Sequence, residues 1–202
     1  MNQRIASVGL LWLSLVASAC KSSPHGPYTT PSNDARDSAR AQALTAQAVD
    51  VMDKDSAKAE ELLREALTAD VWFGPAHNDL GVLELREGNL YEAANEFEWA
   101  RKLMPGHPDP RMNLALTLER AGRIDEALAT YETALEVYPY HVATMQAMSR
   151  LQLRYGRADD RTTDMLERIA MAGETPQWRE WAQWQLVKTE GAVRAQTLPS
   201  AN

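Results

Sequence analysis

Outside its first twenty residues, the chain of 202 residues has no apolar run approaching the roughly 20 residues a membrane-spanning helix needs. It has a single cysteine, Cys20, so no disulfide can form within the chain. No His-x₃-His, second cysteine or Asp/His cluster supplies ligands at metal-binding spacing. No glycine-rich phosphate loop follows a strand, because no segment alternates like one, and no serine lies in a nucleophile-elbow motif. Positive charge is the minority, with 21 basic against 28 acidic residues. That balance argues against a sequence-independent nucleic-acid binder, whose affinity rests on neutralised phosphates. These absences leave no catalytic, metal or cofactor reading and direct attention to binding.

Residues 1–19 have the layout of a secretory signal. Arg4 supplies a short basic region, Ile5 to Val16 form the apolar core, and Ala17-Ser18-Ala19 are the small residues before a cleavage site. The 20–32 stretch, "CKSSPHGPYTTPS", is rich in Pro, Ser and Thr and reads as a tether. Its flexible residues would give an average reach of roughly 20 Å. From Asn33 the composition turns to Ala, Leu, Glu and Arg with helical apolar spacing, which marks the start of a folded domain expected over 33–175.

A 34-residue offset aligns Gly88, Gly122 and Gly156; Ala59, Ala93 and Ala127; Leu63, Phe97 and Tyr131; and Ala66, Ala100 and Ala134. Pro105 aligns with Pro139, and Leu80 with Leu114. Glycine ends one helix cheaply in a left-handed conformation. Small residues let two helices approach, and the large ring between them fills the gap. Proline stops the second helix. Each unit is therefore an αα-hairpin that must stack on its neighbours to bury its apolar faces. The units fall at 40–73, 74–107, 108–141 and 142–175. The fourth is degenerate, with Arg161 and Arg168 at the alanine places, and is expected to retain only its first helix. Thr175-Pro176 then opens a helix over 176–188 carrying Trp178, Trp181 and Trp184. The first two share a face suited to capping the last repeat, with an aromatic docking patch as the alternative. Residues 189–202 are expected to form a loose tail.

The unit "GPAHNDLGVLELREGNLYEAANEFEWARKLMPGH" (74–107), with Leu80-Gly81, Gly88, Ala93, Phe97, Ala100 and Pro105, resembles the tetratricopeptide repeat family. The next unit repeats the pattern with Leu114-Ala115, Gly122, Ala127, Tyr131, Ala134 and Pro139. His77 and Arg111 stand where the family often has tryptophan. The resemblance implies an all-α, right-handed superhelical solenoid of stacked αα-hairpins with a C-terminal capping helix. It also implies a concave groove, lined by the first helices, that holds an extended protein segment. Mapped residue by residue, the groove positions are Asn78, Val82, Leu85 and Arg86; Met112, Leu116, Glu119 and Arg120; and Gln146, Arg150, Leu153 and Arg154.

Arg86, Arg120 and Arg154 form a 34-residue ladder. Each could interact with free carbonyls at a helix end, or present a guanidinium fork to an acidic segment. The family's carboxylate clamp is not expected, since Leu44, Ala48, Asn78 and Val82 do not fit it and only Asn113 does. His107 and His141 hold the same place in successive turns and, a whole repeat apart, are not expected to act together. "DKD" at 53–55 and "DD" at 159–160 fall at turns and are expected to cap helices.

"ASAC" at 17–20 also resembles the lipobox of bacterial lipoproteins, which implies acylation of Cys20 and a membrane anchor. Lys21, lacking the aspartate that favours inner-membrane retention in such proteins, points to the outer membrane and a periplasm-facing domain. The expected function is an anchored, non-enzymatic scaffold for a protein or peptide partner, as in lipoproteins that assist pilus secretin assembly. The alternatives are a ligand-sensing envelope subunit and a self-associating structural protein.

Overall fold

The computed structural model describes residues 36–197, with side chains through 189. The expected signal, Cys20 and the tether lie outside the described residues. Nine α-helices make up the described residues, with no strand among them. They are α1 (Ser38–Val51), α2 (Ser56–Ala69), α3 (Gly74–Glu87), α4 (Leu90–Leu103), α5 (Asp109–Arg120), α6 (Ile124–Val137), α7 (Val142–Arg154), α8 (Asp160–Ala172) and α9 (Pro176–Thr197). Among the described residues, no helix is long and apolar enough to cross a membrane.

The helices pair as antiparallel hairpins, α1–α2 to α7–α8, and each pair packs on the next. Gly88, Gly122 and Gly156 all have positive φ (88°, 75° and 65°), so each closes its first helix in the left-handed conformation that glycine adopts without a Cβ clash. The aligned alanines 59, 66, 93, 100, 127 and 134 are fully buried, with Leu63, Phe97 and Tyr131 equally buried between them. The acidic turns behave as expected of caps. The Asp55 carboxylate accepts from the Lys58 N–H, and Asp159 forms a capping box with Thr162.

Two expectations are corrected. The fourth unit contains a complete second helix, α8, held by the buried Thr162, Leu166 and Ile169. Those residues lie 35, not 34, positions after Ala127, Tyr131 and Ala134. Three residues separate Gly156 from α8, where one residue separates Gly122 from α6. This longer turn rotates the helix, so Arg161 and Arg168 face solvent and never occupy the alanine places. Second, α9 continues past 188 to Thr197. Ala, Val, Arg and Gln in "GAVRAQT" sustain a helix, and no proline intervenes before Pro199. Residues 198–202 lie outside the described residues.

α9 packs on α8 and closes the last pair. Trp178 and Trp181 meet edge to face, centroids 5.2 Å apart, and pack against the core, while Trp184 is exposed with Lys188 over its ring. Capping is thus the role of the first two tryptophans.

Candidate functional site

The first helices α3, α5 and α7 carry the candidate groove positions. Val82, Met112, Leu116 and Leu153 are half-buried and lean on the core, leaving part of each side chain in solvent. Leu85 and Gln146 are buried and are turned into the packing instead. Asn78 is half-buried and accepts from the Asn113 side-chain amide across the repeat boundary at 3.1 Å. The Asn78 amide in turn donates to Asp79 at 3.2 Å. Burial pushes the Asp79 carboxyl up from its ordinary value, against the opposing hydrogen bond from Asn78. Asp79 and Asn113 thus extend the polar part of the row. Asn113 already stands out in the clamp pattern, and for Asp79 the signal is its place one residue after Asn78.

Of the arginine ladder, Arg120 meets a helix-end carbonyl as one expectation had it, while Arg86 and Arg154 pair with carboxylates of this chain. Arg86 reaches back to Asp53 in the first turn at 2.8 Å. Arg120 donates to the Leu85 carbonyl at 2.8 Å, and Arg154 to Glu119 at 3.1 Å. Each guanidinium therefore ties its first helix to the C-terminal end of the preceding one. Arg120 adds a second donor to the Leu85 carbonyl in the last turn of α3, which also accepts from the Gly88 N–H at 3.2 Å. Glu119 is a hub, accepting from Arg150 at 3.3 Å as well as Arg154, with the Tyr131 hydroxyl 3.4 Å away. Burial, reinforced by the Glu119 charge, raises the Tyr131 phenol well above its usual range and keeps it neutral. Side chains of Arg86 and Arg154 remain about half exposed, at 52% and 55%. Glu119, the partner of Arg154, is largely covered, so positive charge shows to solvent at that end, while the more exposed Asp53 offsets Arg86.

Two further polar groups on α7 have no hydrogen-bond partner although buried: Gln146 Nε2 and Ser149 Oγ. Arg150 Nε, beside them, is in the same condition. Unpaired buried donors cost about 1–3 kcal/mol each, which concentrates unmet hydrogen-bonding capacity on the fourth first helix.

The histidines are placed differently from expectation. His107 Nδ1 and His141 Nε2 both approach the Asp109 carboxylate, at 3.5 and 3.3 Å. A repeat of separation in sequence is adjacency in a stacked solenoid, which is why counting residues misplaced them. Among the described residues, no group of three or more His, Cys, Asp or Glu side chains is arranged to hold a metal ion. His77 is buried in a separate cluster, donating from Nε2 to the Val71 carbonyl at 2.9 Å with Nδ1 2.6 Å from Glu96. Its ring stacks on Trp99, centroids 5.9 Å apart, and Trp99 meets Trp72 edge to face at the same distance.

Residues 84–148 match the family model described as a tetratricopeptide repeat. The mouse (Mus musculus) protein named tetratricopeptide repeat protein 8 is 26% identical over 101 residues, half of this chain and 20% of the relative. The chain therefore spans about a fifth of the length of that curated relative. A tetratricopeptide repeat protein from Parabacteroides merdae superimposes with a TM-score of 0.61 at 22% identity, covering 76% of this chain and 61% of that one. The first such domain of Spaghetti (RPAP3), solved with the HSP90 peptide SRMEEVD, gives 0.56 at 15% identity, covering 60% and 98%. At these identities the structural likenesses show the fold.

Proposed function

Because this chain carries tetratricopeptide repeats, we propose that it is a non-enzymatic scaffold that holds an extended segment of a partner protein along α3, α5 and α7. The observation that carries this reading is the continuous row on those helices. Apolar edges at Val82, Met112, Leu116 and Leu153 run beside hydrogen-bonding Asn78 and Asn113 and the half-exposed Arg86 and Arg154. Extended peptides are held by repeated apolar and amide contacts of this kind, and the exposed Arg154 guanidinium favours an acidic segment at that end. The RPAP3 neighbour's bound peptide supports such a capacity in the fold. The domain works at the cell envelope, tethered through an acyl chain on Cys20 and facing the periplasm from the outer membrane. The layout of residues 1–21 supports that placement. Assistance in assembling an envelope complex of the pilus-secretin type is the biological role that fits a leashed scaffold.

A second reading, self-association through α9, is favoured by the exposure of Trp184 (59%) and Val187 (69%) on that helix.

Proximity labelling in intact envelopes tests the main reading, comparing wild type, Cys20→Ala and the triple variant Arg86→Gln/Arg120→Gln/Arg154→Gln. Wild type is expected in the membrane fraction and Cys20→Ala in the soluble one. A partner captured by wild type should be depleted with the triple variant. A soluble, unacylated wild type would refute the anchor, and undiminished capture by a folded triple variant would refute the groove.

A further inference from the structure

The junction of α6, α7 and α8 differs from the first repeat junction at a place outside the candidate groove. A cavity of about 250 Å³ opens among Leu135 of α6, Met145 of α7 and Met165 of α8, beside the Pro139-Tyr140 turn. A second opening of about 150 Å³ adjoins it over Tyr140, Met145 and Arg168. None of these residues belongs to the candidate groove.

The same place at the first repeat junction is filled. Two repeats earlier, Trp72 stands for Tyr140, His77 for Met145 and Leu67 for Leu135. Allowing for the extra residue, Glu96 stands for Met165 and Trp99 for Arg168. At the first junction the Trp99 indole stacks on His77 and abuts Trp72, with Glu96 bonded to His77. At the third junction the plug is missing. Two methionines, 2% and 4% exposed, line the hole. Arg168 lies with its guanidinium 5.0 Å from the centre of the exposed Tyr140 ring.

We propose that this cavity receives an aromatic side chain from a partner protein, with a carboxylate next to that side chain paired to Arg168. The internal comparison fixes the shape, since an aromatic ring fills the corresponding place in the same chain. The volume agrees: 250 Å³ is below the roughly 300–1,000 Å³ of small-molecule sites and suits one side chain. Methionine suits a ring as neighbour, because its thioether is polarisable and adaptable. The charge fixes the second element. Among the described residues Arg168 has no carboxylate partner, whereas Arg161, about two turns before, bonds to Glu132 at 3.4 Å. Asp164 sits between the two arginines on the same rim and opposes a carboxylate, so the anionic group belongs at the Arg168 end. Arg168, its guanidinium resting 5.0 Å over the Tyr140 ring, is a preformed fork for it. This site is distinct from the groove on α3, α5 and α7 and can be filled at the same time.

The test uses the purified chain with ¹³C-methyl methionine, titrated with N-acetylphenylalanine and with its uncharged amide. The acid should shift the Met145 and Met165 methyl signals and bind about tenfold tighter than the amide, the difference a charge-assisted hydrogen bond makes. Arg168→Gln should bring the acid down to the affinity of the amide. Arg168→Trp, which copies the plug of the first junction at an exposed position, should abolish the shifts from both. Arg86→Gln, in the groove, should leave them unchanged. Equal affinity for acid and amide, shifts that avoid Met145 and Met165, or wild-type binding by Arg168→Trp would each overturn the proposal.

Discussion

Gly81→Ala is the substitution for which the repeat geometry gives the most definite number. Alanine is ordinarily the better helix former by about 1 kcal/mol, so propensity alone forecasts stabilisation in the middle of α3. The structure reverses the sign. A Cβ at Gly81 would lie 2.7 Å from Cε1 and 2.9 Å from Cδ1 of Phe97. Phe97 is fully buried between Ala93 and Ala100, so its ring has no solvent side toward which to yield. Overpacking a closed core costs about 1–3 kcal/mol, and contacts this short belong in the upper half of that range. Subtracting the propensity gain leaves a net loss of about 1–2 kcal/mol. For a domain of this size that lowers the melting temperature by about 3–6 °C. The assay is thermal and urea unfolding followed by far-UV circular dichroism and tryptophan fluorescence together, since repeat arrays can lose all-or-none behaviour. Adding Phe97→Leu to Gly81→Ala should return part of the loss as a coupling of about 0.5–2 kcal/mol. A Gly81→Ala variant as stable as wild type, or more so, would refute the view that the two helices are held at glycine distance by that ring.

Other substitutions probe separate parts of the fold. Asp70 is buried and accepts from Ser38 Oγ at 2.6 Å, Arg36 Nε at 3.0 Å and the Trp72 N–H at 3.0 Å. Burial alone would raise its carboxyl, but those bonds outweigh it and hold the group below the ordinary 3.8. Its contribution is therefore complete above about pH 4 and is lost as pH falls through the depressed folded value. Asp70→Asn should cost about 1–3 kcal/mol at neutral pH, with the difference from wild type shrinking in acid urea titrations. The shifted register of α8 predicts that Arg161→Ala changes stability by less than about 0.5 kcal/mol, while Ile169→Ala costs about 2–5 kcal/mol in the same unfolding assay. The reverse ranking would restore the unbroken 34-residue frame. Gly88→Ala, at φ 88°, should cost about 1–2 kcal/mol although nothing lies near its Cβ, a purely conformational loss measurable by melting temperature.

Much of the architecture was legible because the fold repeats its own solution. The small places at 93, 100, 127 and 134, the rings at 97 and 131 and the turn glycines each answer a packing or backbone requirement that recurs at one interval. What escaped detection depends on phase or on neighbours across repeats. Arg161 and Arg168 looked like defects in α8 because the count was carried unchanged through a turn that had lengthened. His107 and His141 looked distant because their meeting at Asp109 is made by stacking, which leaves no mark in local sequence. The arginine ladder was visible as spacing, but its partners Asp53, the Leu85 carbonyl and Glu119 belong to the preceding repeat. Of the candidate groove positions, Leu85 and Gln146 were assigned to a surface by family register, while packing draws them inward. The helical run past 188 was hidden by weak apolar periodicity, although each residue there tolerates a helix.

The lengthened turn before α8 also bears on how such chains can change. Each residue added ahead of a helix turns everything behind it by about 100°, so one insertion exchanges inward and outward side chains without altering a single letter of the helix itself. Here the exchange carried two arginines out to solvent and brought Thr162, Leu166 and Ile169 in. Turn length in a solenoid therefore acts as a dial on surface chemistry: a new recognition face can arise from an old packing face in one step, with the stacked neighbours left in place.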